Sequence, residues 1–169
     1  MQAWFSWLAA GWLLAASPPV AAAAQEAAGC ATVNSQAGYH QPIGHHKFQL
    51  HWISWGEWKT LGDLTVTDRN GLLVVHGAYR DPKTGDFIEI DGLVTRVEAR
   101  AFDFEGKIIT RASCINGGDP GARKGALTFA VTGKRRDWRL QQMQDPGDEA
   151  TDYADIFSVR GKDGPAHKS

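Results

Sequence analysis

The sequence predicts an all-β protein, with about eight antiparallel strands in an up-and-down barrel and an open β-sandwich as the alternative. Three observations carry this. Apolar and polar residues alternate in short runs, turn residues interrupt those runs at close intervals, and nothing after the first two dozen residues repeats with a helical period. Nearly every connection is short enough to join neighbouring strands, which lets a sheet curl, close and lose its edges.

The elements follow in order. The first charged residue is Glu26, and before it an apolar run from Ala3 to Ala16 leads through Ser17-Pro18-Pro19 to Ala22-x-Ala24. That run is too short to cross a hydrocarbon layer of roughly 30 Å as a helix. It suits an export signal over residues 1–24, although Met1-Gln2 brings no Lys or Arg. The mature chain is then expected from Gln25, in the periplasm or outside the cell, with no transmembrane segment. Residues 25–47 read as a flexible arm, 48–162 as the barrel domain and 163–169 as a disordered tail. Within the domain, Asp63 to Thr67 alternates and Asn70-Gly71 offers the pair a two-residue type I′ hairpin needs. Leu72 to Arg80 returns, and Asp81 to Gly85 is a second turn. Phe87 to Arg100 is a long strand whose inward parity is expected to switch at Gly92. Phe102-Asp103-Phe104 leads through Glu105-Gly106 into Lys107–Ile115, and Asn116–Gly125 reads as a glycine-rich loop. Leu127 to Thr132, Trp138 to Leu140 and Tyr153 to Val159 complete the set.

Composition limits the partners. Lys plus Arg is 18 and Asp plus Glu is 19, so the net charge of −1 supplies no long-range attraction to nucleic acid. Cys30 and Cys114 are the two cysteines, and an exported chain with an even pair predicts a disulfide, which would contribute about 4 kcal/mol by shrinking the unfolded ensemble. The competing expectation makes Ala27-Ala28-Gly29-Cys30 a degenerate lipoprotein signal with Cys30 lipidated.

The stretch His51 to Thr60 places Trp52, Trp55 and Trp58 three apart. Gly56-Glu57-Trp58, then a strand, Asn70-Gly71, a second strand and Gly77-Ala78-Tyr79 resemble the first hairpin of calycin-type barrels, the lipocalin and avidin group. The resemblance implies that Trp58, set by Gly56, packs across the barrel floor under a late arginine, Arg139 or Arg160. With Trp138 these are the structural candidates. The candidate ligand-binding residues are Trp52, Trp55, Tyr79, Arg139 and Asp155. Trp52 and Trp58 are expected on one strand face and Trp55 on the other, and Asp155 is expected inward with Tyr153 and Phe157.

No catalytic motif is present, and no cofactor or metal is expected: His40, His45, His46 and His51 match no tight ligand spacing. Lys107, Arg111, Arg123, Lys124, Lys134, Arg135, Arg136 and Arg139 gather in about one fifth of the chain, and the Lys134–Arg136 turn suits either an oxyanion or a solvated hairpin tip. The leading functional expectation is an exported, non-enzymatic barrel that binds a small ligand, a glycan or an envelope protein. The alternatives are a protein resembling periplasmic protease inhibitors, a glycan hydrolase pairing Asp155 with Glu89 or Asp91, and a structural envelope component.

Overall fold

The structure, a computed structural model, describes residues 29–54 and 61–159. Its elements are β1 (Thr32–Val33), α1 (Gln36–Tyr39), β2 (Gly44–Leu50), β3 (Gly62–Arg69), β4 (Leu72–Arg80), β5 (Phe87–Val97), β6 (Ala101–Arg111), β7 (Gly121–Ala130), β8 (Trp138–Leu140) and β9 (Ala154–Ser158). The strands β2 to β9 pair antiparallel in chain order, β9 returns to β2, and the barrel is closed with eight strands. β1 lies outside the ring and pairs parallel with the end of β5. Among the described residues no helix is long and apolar enough to cross a membrane.

The interior is filled. Phe48, Leu50, Leu64, Leu73, Ile88, Ile90, Phe104, Ile108, Phe129, Leu140 and Ile156 form one core cluster with Trp138, and each of these eleven is at most 1% exposed. Trp138 closes one end, edge-on to His46 at 5.7 Å and to Phe102 at 5.8 Å. A narrow cleft beside Leu50, Thr110, Ala112 and Asp152 at the other end is too tight to admit water.

The type I′ hairpin forms as the sequence predicts: Asn70 and Gly71 take φ of 57° and 87° between paired Arg69 and Leu72. Gly92 and Gly106 serve a different purpose from the one expected. They face each other across β5 and β6, with Gly125 next in the row on β7. A Cβ on Gly106 would sit 2.6 Å from the Phe104 ring, so the glycines clear the space that this ring fills. A row without side chains also lets the sheet bend. The parity switch comes three residues later. Ile88, Ile90 and Val94 point inward, the register slips between Val94 and Arg96, and Val97 points inward on the new phase. An extra residue in one strand of a pair, here Thr95, is a β-bulge. Residues 44–47, placed by the sequence in the arm, belong to β2, and residues 121–125, expected in a loop, belong to β7.

Connections alternate between two ends. The hairpin end carries Asn70-Gly71, the 98–100 turn and the 131–137 turn, while the loop end carries the connections after β2, β4, β6 and β8. Cys30 is at the hairpin end, its Sγ 3.7 Å from the Asn70 carbonyl, and Cys114 is in the loop after β6. Both are exposed and free. A disulfide needs Cα atoms within about 7 Å, whereas the barrel length separates these, so the expected bridge is absent.

Candidate functional site

The wall of the barrel is incomplete on one side, and the local sequence explains why. β7 pairs with β6 along its whole length but with β8 only at Phe129–Leu140 and Ala130–Arg139. The Gln141 N–H still donates to the Thr128 carbonyl, and the Gln142 side chain then accepts from the Thr128 N–H in place of a backbone group. Beyond that point residues 141–152 leave the sheet, with Asp145-Pro146-Gly147 forming a turn in which the Asp145 carboxylate accepts from the Gly147 N–H. Between Gly121–Leu127 and this segment runs an open groove of about 940 Å³, lined by Ala122, Lys124, Ala126, Leu127, Gln142 and Met143.

Arg123 crosses beneath the groove. It shares inward parity with Leu127 and Phe129, and its side chain is 6% exposed. Nε donates to the Gln142 carbonyl at 3.1 Å, and Nη2 donates to the Gln144 carbonyl at 2.7 Å and to Asp152 Oδ2 at 2.8 Å. The guanidinium thus joins β7 to the departed segment where no strand ladder does. Nη1 is buried with no acceptor among the described residues. Asp152 is 1% exposed and also accepts from Trp52 Nε1 at 2.9 Å. Burial pushes its carboxyl above the usual range against the pull of Arg123, and the neighbouring Asp145 adds to the rise.

From Trp52 the contacts continue around the loop end to the outer wall. The His51 ring lies 4.1 Å from Trp52 and 4.8 Å from Tyr153, and the Arg139 guanidinium stacks 4.3 Å over Tyr153. Arg139 then forms a two-pronged pair with Asp155, Nε to Oδ1 at 2.7 Å and Nη2 to Oδ2 at 2.5 Å. Bidentate geometry of this kind is the strong form of the ion pair. Asp155 holds Arg139 above the ordinary guanidinium range, while burial and then the Arg139 charge lower the His51 imidazole.

Several expected positions differ. Asp155 is buried on the outer face, because the inward residues of β9 are Ala154 and Ile156. Asp155 therefore meets neither Glu89 nor Asp91: β5 stands four strands away around the ring, its Glu89 faces Arg80 and its Asp91 faces His76. The carboxylate pair of the hydrolase reading does not form. Trp52 lies on a turn, since the Ile53 and Ser54 N–H groups both donate to the Leu50 carbonyl and end β2 there. Tyr79 is partly buried at the loop end of β4, packed on the core. Trp55, Gly56 and Trp58 lie outside the described residues, as do Arg160, the signal segment 1–24 and the tail 163–169.

The histidines are not gathered. His45 and His46 point to opposite faces of β2 and His51 lies beyond its far end. The basic residues also scatter: Arg111 holds the buried Asp86, Lys134–Arg136 lies at the hairpin end, and Lys107 and Lys124 stand opposite each other on the outer wall. Sequence reasoning marks Arg123 only as one of the basic residues and not as a buried partner of Asp152, because Gly121–Gly125 reads as loop. Extending the parity of Phe129 and Leu127 back through Gly125 would have pointed Arg123 inward.

A family model for the PM1083 family matches residues 30–158. The chain belongs to the PM1083 family. Its span coincides with the structure from Cys30 through the end of β9, so the PM1083 unit includes β1 and the gapped wall as well as the ring. The uncharacterized protein PM1083 of Pasteurella multocida (strain Pm70) is 38% identical over 115 residues, which cover 68% of this chain and 72% of that protein. No solved structure matches the chain.

Proposed function

We propose that this PM1083-family chain is an exported, non-enzymatic binding module that recognises a protein surface in the cell envelope through its outer wall. The filled interior carries this reading: eight-stranded barrels hold a small molecule only when their side chains leave room, and here Phe48, Phe104, Phe129 and Trp138 occupy that space. The buried charges support it too, because Arg123–Asp152, Arg139–Asp155 and Arg111–Asp86 satisfy one another in the wall. Among the described residues, the open groove beside β7 offers a surface for recognition. Kinship with calycin-type barrels is part of the same reading, supported by the closed eight-strand meander.

The test is site-specific photo-crosslinking of the full chain in its native cells, with the probe at Lys124 or Gln141 on the groove and at Thr67 on the opposite wall. Protein adducts from the groove positions and none from Thr67 are expected. Absence of adducts at all three, or a small molecule carried through purification, would sink the reading. Fractionation and N-terminal sequencing of the same material check export: a mature start at Gln25 is expected, and an intact Met1 in the cytosol opposes it.

A further inference from the structure

We propose that the uncovered half of β7 is a docking edge for an extended segment of a partner protein, which adds as a strand and presents an acidic side chain to Lys124; this rests on the wall-binding reading. In a strand, residues of one parity direct both their N–H and C=O to one edge. Thr128 bonds toward β8 through both groups, so Ala122, Lys124 and Ala126 direct theirs into the groove, where no partner meets them among the described residues. One other overhang is treated differently. Where β4 runs out beside β5, β1 covers Arg96 and Val97. The β7 overhang has no such cover, and an open edge is a template for an incoming strand.

The groove suits that occupant. Ala122 and Ala126 flank Lys124 with small side chains, leaving lateral room for a partner's alternate residues, and Leu127 and Met143 offer apolar contact. Arg123 forms the floor, and its Nη1 is a buried donor without an acceptor, suited to a carbonyl of the added strand. Lys124 and its cross-strand neighbour Lys107 are both exposed and have no ion-pair partner among the described residues. Lys107 has Asp91 opposite it on β5, whereas Lys124 has no residue opposite it on its open side among the described residues; like charges directly opposite repel, and a carboxylate on an added strand would relieve this at Lys124. The same charges disfavour a second copy, since β7 meeting β7 about Lys124 would oppose lysine to lysine.

The experiment titrates the full chain, nitrogen-15 labelled, with the capped peptide Thr-Val-Thr-Glu-Val-Thr-Val and with its Glu-to-Lys analogue. The Glu peptide is expected to slow amide exchange at Ala122, Lys124 and Ala126 at least about tenfold. It should bind roughly tenfold tighter than the Lys peptide, from one favourable and one unfavourable cross-strand charge pair. Lys124→Glu should reverse that preference, and Ala126→Pro, which deletes an edge N–H, should weaken the Glu peptide. If Ala126→Pro disturbs the fold, alternate N-methylation of the peptide deletes bonds from the other side. Unchanged exchange at the three amides, protection confined to another wall, or no reversal by Lys124→Glu overturns the docking edge. Groove photo-adducts together with a failed peptide titration would keep the wall-binding reading and discard the strand.

Discussion

The wall from β3 to β6 and the wall from β7 to β9 are built from the same barrel ring, yet only the first is a continuous sheet. β3 to β6 are 8 to 11 residues long and pair along nearly all of that length. β8 has three residues and β9 five, and the space they leave beside β7 is bridged by the Arg123 guanidinium. A strand ladder spreads the work of holding two segments over many weak bonds, whereas a single buried cation concentrates it. The gapped wall is therefore the place where one side chain matters most and where backbone remains to be recognised.

The sharpest way to break this contrast is amide exchange. Ile88 and Ile90 are expected to exchange roughly 10⁴-fold or more slowly than Ala122 and Ala126, since paired core amides open only with global unfolding. Equal protection would mean that β7 has a partner strand. Next in size, Asp152→Ala strands a buried guanidinium and should cost about 3–5 kcal/mol in denaturant unfolding, while Arg123→Met combined with Asp152→Leu should recover most of it. Gly106→Val tests the continuous wall, where the added carbons meet the Asp91 carbonyl and the Phe104 ring; about 1–3 kcal/mol of destabilisation is expected by the same assay.

The smallest effect is a pH dependence at the loop end. His51 is held below its ordinary value of 6.5, so the folded state takes up this proton less readily than the unfolded chain. Stability from this group is full above 6.5 and declines as pH falls through the window beneath it. The thermal midpoint should drop between about pH 7.5 and pH 5.5, and His51→Gln should flatten that drop; an unchanged slope in the variant would place the titration elsewhere.

The β3–β4 hairpin was legible in the sequence; β6, expected to begin at Lys107, starts at Ala101 and runs through Glu105-Gly106, and the gapped wall was not legible. Alternation in Asp63–Thr67 and Leu72–Arg80 with Asn70-Gly71 between them specifies strand, turn and register at once, because burial on one face fixes parity. Gly121–Ala126 has neither β-branched nor aromatic residues, and its strand state comes from pairing with β6. In and just before β9, Tyr153, Asp155 and Phe157 look as suitable for the interior as Ala154 and Ile156. What decides between them is the register with Trp138 and Arg139 on β8, a long-range fact. The network from Arg123 to Asp155 depends on that register too, so its members were visible singly while the linkage was not. Trp138 needed only its own alternation with Leu140, and both are buried as expected.

Because the two native thiols are exposed at opposite poles, they form a ready pair of attachment points on the order of 30 Å apart, set by the span of an eleven-residue strand. Dyes coupled at Cys30 and Cys114 would report the barrel's height as a ruler, and handles coupled there would load it along its axis. Under such a load the short ladders of β8 and β9 resist with few bonds while β5 and β6 resist with many, so the molecule should tear open along the seam where Arg123 holds it closed.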